Sequence, residues 1–295
     1  MSAATRVAVL GLGAMGLPMA QRLAERGHEV LGFDIAEPRL ELARASGIQT
    51  FGSARAASAE ADAVILAVRD VPQLTEVLFG AGGIAEVLRP GSVVILTSTV
   101  GIEPVREVAA QLARLDIELL DAPISGGAAR AREGDLLLIV GGSDAAREAS
   151  TSILAALAST VSVVGPNPGD GQAQKTVNQL LCGVHIAAAA EALTLARSLG
   201  LDPAESLRSL EAGAAASFML SNRGPRILEA LEGAEPEVLS RVDIFVKDLG
   251  IVTRAAEELG LATPVALAAH GQYVAGVAAG LESHDDSTLV RILPR

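Results

Sequence analysis

Arg6-Val-Ala-Val-Leu10-Gly11-Leu12-Gly13-Ala14-Met15-Gly16 is a short, β-branched apolar run that stops at three glycines and passes into a helical pattern carrying Leu17, Met19, Ala20 and Leu23. Strand, glycine turn and helix in that order let a backbone approach a pyrophosphate at a helix N-terminus, which the glycine spacing by itself does not establish. The next apolar run, Glu29–Phe33, ends in Asp34, a carboxylate placed to accept hydrogen bonds from the ribose hydroxyls of a dinucleotide. A ligand-free turn and a helix-capping aspartate are the alternative readings, and the two features in this order favour the dinucleotide. Gly11 to Gly16 and Asp34 are therefore cofactor-binding candidates. Asp34 further points to NAD, because it would repel the extra phosphate of NADP.

Outward from this unit the pattern repeats. Apolar runs at 63–68, 92–96, 117–120, 136–140 and 160–164 alternate with amphipathic stretches such as 101–115 and 144–158. That alternation predicts an α/β fold, a Rossmann-type doubly wound parallel sheet covered on both faces, with ligands at the carboxyl ends of its strands. Three loops fall there: Val68-Arg69-Asp70, Thr97-Ser98-Thr99 and Asp121-Ala-Pro-Ile-Ser125-Gly126-Gly127. Arg69 reads either as an anion contact or as a solvated strand-end arginine. After Gly165-Pro-Asn-Pro-Gly169 the β-rich runs stop and Ala/Leu segments take over. The expected domains are 1–166, binding the dinucleotide, and 167–295, all-helical, with breaks at Gly200–Pro203, Gly224-Pro225, Gly233–Pro236 and Gly260–Pro264. The first helix of the second domain, about 170–198, is apolar on most faces and needs cover from its own domain or another subunit.

The chain has 295 residues, half of them hydrophobic, with no Trp, one Tyr and five Phe, so its core must be built from Ala, Leu, Val and Ile. A net charge of −12 without a basic run makes nucleic acid an unexpected partner. The single cysteine, Cys182, precludes an internal disulfide and reads as a small buried hydrophobe. Absence of a charged leader or of a charge-free spanning stretch points to a cytoplasmic protein and not a membrane one. Scattered histidines, none at ligand spacing with Cys182 or a carboxylate, give no metal site.

Of the 23 strong cations only Lys175 and Lys247 are lysines. An arginine cannot release its proton near neutrality, whereas a desolvated lysine can, so a chain this poor in lysine has kept two where proton transfer or a compact charge is useful. Lys175 opens the long apolar helix, and Asn178 and Gln179 follow at three and four residues, on its face. Those amides suit the lysine and a substrate hydroxyl, or else ordinary solvation in the first turns. The Ser125-Gly126-Gly127 turn offers N–H donors and a hydroxyl to a carboxylate. Ser125 lacks a nucleophile-elbow context, which argues against hydrolysis.

Gly11-Leu-Gly-Ala-Met-Gly-Leu-Pro-Met19, Asp121-Ala-Pro-Ile-Ser-Gly-Gly127, Gly169-x-Gly-x-x-x-Lys175-x-x-Asn178-Gln179 and Lys247-Asp-Leu249 together resemble the signatures of the β-hydroxyacid dehydrogenases, in order and across the whole chain. Segments 179–190, 241–250 and 285–293 are most similar to the L-threonate dehydrogenase branch, with tartronate semialdehyde reductases and 3-hydroxyisobutyrate dehydrogenases as neighbours. The resemblance implies an NAD-dependent oxidoreductase acting on a small anionic hydroxy acid, with L-threonate oxidised at C2. It implies Lys175 as catalytic acid/base and Ser125, Gly126 and Gly127 as the substrate-carboxylate turn. Thr99 and Lys247 become cofactor-side contacts, with Val68 and Arg69 beside them, and the helical domain makes a homodimer or homotetramer. Asn178, Gln179 and Ser217 are the expected partners of a hydroxylated substrate tail, although Ala215-Ala-Ser217 stands where the family often has Gly-x-Ser. A dinucleotide-binding module without turnover is the non-enzyme alternative, disfavoured by the presence of Lys175.

Overall fold

The computed structural model describes residues 5–293. They form two compact units that divide between Lys175 and Thr176, and the boundary expected near residue 166 lies in the turn just before the helix where they divide.

The first unit begins β1 (Arg6–Leu10), α1 (Gly16–Glu25), β2 (Glu29–Phe33), α2 (Glu37–Ala45), β3 (Gln49–Thr50), α3 (Ala54–Ser58), β4 (Ala63–Leu66) and α4 (Val71–Phe79). It continues β5 (Val93–Leu96), α5 (Ile102–Ala113), β6 (Glu118–Asp121), β7 (Ile124–Ser125), α6 (Gly127–Glu133), β8 (Leu136–Gly141), α7 (Asp144–Leu157) and β9 (Ala158–Gly165). Strands β1 to β6 are parallel in the order β3-β2-β1-β4-β5-β6, so the winding reverses at β1. Side chains alternate between two cores: Val7 and Val9 of β1 pack with α1, α2, α6 and α7, while Ala8 and Leu10 pack with α3, α4 and α5. A strand buried on both faces favours apolar residues at every position, which is why β4 and β5 are continuously apolar.

The expectation of a wholly parallel sheet is corrected at one end. Strand β8 runs antiparallel to β6 and β7 and parallel to β9. Only residues 126–135 link β7 to β8, fewer than the dozen or so a parallel crossover needs, so the chain turns back on itself there. Ser125 consequently closes a short strand before Gly126 and Gly127, whose φ values of 142° and 77° only glycine adopts readily.

Helix α8 (Asp170–Ser198) crosses the division between the units. By length and composition alone it is apolar enough to span a membrane, yet half of that apolar window is buried within the protein. Helices α9 (Pro203–Glu211), α10 (Phe218–Leu231), α11 (Val242–Glu258) and α12 (Pro264–Ala278) follow, and a 3-10 turn covers Asp286–Ile292. The break expected at Gly224-Pro225 does not occur, because both residues lie inside α10. Gly224 there receives the side chain of Leu207, where a Cβ would stand 2.5 Å from Leu207 Cδ1, and that packing outweighs the hydrogen bond Pro225 cannot make.

The helical unit also buries charge. Arg223 forks onto Asp286 (Nη2 to Oδ2 2.9 Å), and Arg226 Nε donates to Asp285 Oδ1 at 3.0 Å. Both aspartates are almost fully buried. Burial pushes the Asp286 carboxyl up while Arg223 pulls it down; burial likewise pulls Arg223 down, but the charge and hydrogen bonds of Asp286 outweigh it and leave Arg223 raised. Breaking one side of such a pair strands the other charge, so Arg223→Leu is expected to cost about 3–5 kcal/mol in urea unfolding, with Arg223→Leu/Asp286→Leu recovering most of it.

Candidate active site

The switch point of the sheet places the loop Gly11–Gly16 beside the end of β4. Two of its three glycines are required by the protein itself. A Cβ at Gly11 would stand 2.4 Å from the Ala67 carbonyl oxygen, and one at Gly16 would stand 1.7 Å from the Gly11 oxygen. Gly13 differs: a Cβ there meets nothing within 4 Å, and its φ is not in the left-handed region. Among the described residues nothing demands glycine at 13, and the space beside it is open to an approaching ligand. The N-terminus of α1 has no side-chain cap and no acid in its first turn, which leaves its N–H groups and positive dipole end for an anion. Asp34 accepts from Leu12 N at 2.7 Å and Ala36 N at 2.8 Å, so its carboxylate is fixed against this loop. Leu12 itself is fully buried, while Ala14 and Met15 complete the turn into α1. These residues fit a dinucleotide.

Val68 is half-buried at the end of β4; Arg69 beyond it is exposed, its N–H donating to Gln73 Oε1. Thr97 and Ser98 turn their hydroxyls onto the Leu66 carbonyl, at 2.9 and 3.4 Å, and Thr99 is half-buried next to them.

The start of α8 is held by a buried node that the sequence alone did not reveal. Asp121, at the end of β6, accepts from Gly169 N at 2.9 Å, Gln172 N at 2.8 Å and Gln172 Nε2 at 2.8 Å. Gln172 Nε2 also donates to Ser98 O, and its Oε1 accepts from Val100 N at 3.0 Å and Gly101 N at 3.2 Å. Both residues are fully buried. Burial pushes the Asp121 carboxyl up to about 6, against the bonds from Gln172 and Gly169 that favour its charged form. At neutral pH it is an anion at the N-terminus of α8, matched to that end of the helix. Gly171 admits this close approach: a Cβ there would stand 2.8 Å from the carbonyl oxygens of Asp121 and Ile139.

One turn after Gln172, Lys175 is buried at 5% exposure and donates from Nζ to the Ile124 carbonyl at 2.9 Å. Ile124 immediately precedes Ser125, so the first unit brings the lysine to the strand that enters the Ser125-Gly126-Gly127 turn. Further along the helix, Asn178 Nδ2 donates to Gln179 Oε1 at 2.8 Å and to Cys182 Sγ at 3.3 Å, and Gln179 Nε2 donates to Asp248 Oδ2. Lys247 Nζ lies 2.8 Å from Asp248 Oδ1, an ion pair whose angle is not that of a hydrogen bond. Ser217 caps α10, its hydroxyl accepting from Leu220 N at 3.1 Å. The spacing Asp121…Gln172-x-x-Lys175 was the available signal for the node; a glutamine one turn before a buried lysine lies on the same face. Among the described residues no group of three or more His, Cys, Asp and Glu is placed to hold a metal ion.

Comparison with known proteins gives a family match for each part of the chain. Residues 6–165 match the NAD binding domain of 6-phosphogluconate dehydrogenase, and residues 169–293 match the domain described as NAD-binding of NADP-dependent 3-hydroxyisobutyrate dehydrogenase. An L-threonate dehydrogenase of Cupriavidus necator is 38% identical over 289 residues, covering 98% of this chain and 96% of that protein. A 2-hydroxy-3-oxopropionate reductase of Escherichia coli is 32% identical over 288 residues, covering 98% and 97%. A crystal structure of 3-hydroxyisobutyrate dehydrogenase from Salmonella typhimurium superposes with a TM-score of 0.90 at 35% identity, covering 98% of this chain and all of that one.

The glycine loop gives a paired prediction. Gly13→Ala is expected to fold with normal thermal stability but to weaken NAD binding by tenfold or more in a fluorescence titration, since its methyl enters the space of the ligand. Gly16→Ala is expected to lower stability severely before any binding is measured.

Proposed function

The chain belongs to the NAD-dependent hydroxyacid dehydrogenase family of 3-hydroxyisobutyrate and 6-phosphogluconate dehydrogenases, and from that premise we propose that it oxidises L-threonate at C2 to 2-dehydro-L-erythronate. The observation that carries the reading is the buried Lys175, tied to the Ile124 carbonyl one residue before Ser125. Similarity to L-threonate dehydrogenases over nearly the whole chain supports the choice of acid.

In this reading Gly11, Leu12, Gly13, Ala14, Met15 and Gly16 take the pyrophosphate and Asp34 the adenosine ribose, with Val68, Arg69, Thr99 and Lys247 as further cofactor contacts. Bound NAD supplies the hydride acceptor. Ser125 and the N–H groups of Gly126 and Gly127 receive the substrate carboxylate. Lys175 acts as base from its neutral form: one N–H stays on Ile124 O, and the nitrogen lone pair takes the proton of the C2 hydroxyl as the C2–H hydride leaves. The products are the 2-keto acid, the reduced nicotinamide and protonated Lys175, which returns the proton in the reverse direction. Asp34 selects NAD over NADP through the charge of its carboxylate.

We assign dinucleotide binding, together with the carboxylate turn at Ser125–Gly127, to residues 1–166, and the other substrate contacts and self-association to residues 167–295, in a cytoplasmic homodimer or homotetramer. Helix α12 supports the association: it is apolar on its buried side, Ala266, Ala269 and Tyr273, and also on its exposed side, Val265, Leu267 and Val274.

Steady-state kcat/KM on L-threonate, D-glycerate and 3-hydroxyisobutyrate, with NAD and with NADP, tests the proposal. L-threonate with NAD is expected to be best, and Lys175→Arg to lose about a hundredfold or more in kcat while still binding NAD. A best rate on the methyl-bearing acid contradicts the substrate reading, and a near-normal Lys175→Arg contradicts the role of Lys175.

A further inference from the structure

Gln179 makes its hydrogen bonds to protein groups, and their chemistry dictates how the neighbouring Asn178 is oriented. Asp248 is 3% exposed and pairs through Oδ1 with the Lys247 ammonium at 2.8 Å, so it is a carboxylate, and a carboxylate only accepts. The Gln179 atom facing Asp248 Oδ2 must therefore be Nε2. Gln179 Oε1 is left to face Asn178 and can only accept, so Asn178 must turn Nδ2 towards it, at 2.8 Å. The second hydrogen of Nδ2 goes to Cys182 Sγ at 3.3 Å. Both donors of Asn178 are thereby committed, and the atom it has left to offer, Oδ1, is an acceptor.

We infer that the series Lys247, Asp248, Gln179, Asn178 is a specificity device that presents Asn178 Oδ1 to a second hydroxyl of the substrate, adjacent to the one that reacts. This rests on the proposed hydroxy-acid oxidation. The reacting hydroxyl has a single proton, and in that reaction the proton goes to Lys175, so it is not available to Asn178. An acceptor fixed one turn after Lys175 on the same helix is satisfied by a neighbouring hydroxyl, as in a 2,3-dihydroxy acid. An acid lacking that hydroxyl leaves it unpaired, which costs about tenfold or more in selectivity. Gln179 is then a positioning residue, and Asn178 the group that touches the substrate.

The experiment is a ratio of kcat/KM values for two matched pairs: L-threonate against the 2,4-dihydroxy acid of the same C2 configuration, and D-glycerate against the matching lactate. The native enzyme is expected to favour the 2,3-dihydroxy member of the pair it uses by about tenfold or more. Gln179→Met, which frees the Asn178 amide to rotate, is expected to collapse that ratio by losing rate on the dihydroxy member while largely keeping it on the other. Gln179→Glu shares a proton with Asp248 and still faces Asn178 with an oxygen, so it is expected to retain the ratio. If the methionine variant does not fold, Asp248→Asn serves instead, because an amide at 248 no longer dictates which atom of Gln179 faces it. Equal losses on both members, or an unchanged ratio, overturn the inference while leaving the oxidation reading intact. A native enzyme that oxidises no member of either pair overturns the substrate reading and this inference with it.

Discussion

The placement of Lys175 depends on one buried carboxylate meeting one buried amide. Asp121 ends β6 and Gln172 sits in the first turn of α8, and between them they satisfy backbone groups from the β5 loop, the turn before the helix and the helix itself. Every atom that faces Asp121 in these bonds is a donor, and every capacity of the Gln172 amide is used. Such a node has one arrangement of lowest energy, because any shift of the helix start leaves a buried polar group unpaired at about 1–3 kcal/mol each. The lysine one turn later inherits that precision. A long apolar helix has no comparable means of fixing its own rotation, since Ala and Leu packing tolerates small slips.

How much of this was readable in the amino-acid sequence varies with the physics involved. The strand, glycine loop and helix at residues 6–25 were legible because local conformation and ligand approach both act on the same few residues. The parallel core was legible for a similar reason: its central strands β4 and β5 are buried along their whole length and are apolar throughout. The reversal at β7 and β8 was not, because hydrophobic runs report burial and not direction, and only the short link over 126–135 held the clue. The continuous helix through Gly224-Pro225 was hidden by a tertiary contact, the Leu207 side chain seated on Gly224. Of the candidate site, the lysines stood out by rarity and the Ser125 turn by its glycines. Asp121 and Gln172 did not, because their importance lies in which groups they reach across the fold. Ser217 and Gln179 were read as substrate contacts, and what the folded chain shows of them is a helix cap and an amide bonded to Asp248.

The two units treat charge in opposite ways. The first surrounds its buried carboxylate with neutral donors, which hold it in position without cancelling it. In the second, Asp285, Asp286 and Asp248 each have a cation beside them. Arg223 and Arg226 brace the 3-10 turn against α10, a structural use in which the guanidinium's planar fork suits a carboxylate. Lysine appears at two positions only, Lys175 buried against the Ile124 carbonyl and Lys247 beside Asp248, in a chain otherwise supplied with arginine.

The measurement that tests most directly whether the Asp121–Gln172 node governs Lys175 in its proposed acid/base role is the rate of hydride transfer in a single turnover, native enzyme against Gln172→Met, with L-threonate and saturating NAD. The node account predicts a fall of about a hundredfold in that rate, the scale of a misplaced acid/base, with the dissociation constant for NAD changed by no more than about twofold. A folded variant that transfers hydride at the native rate would contradict it.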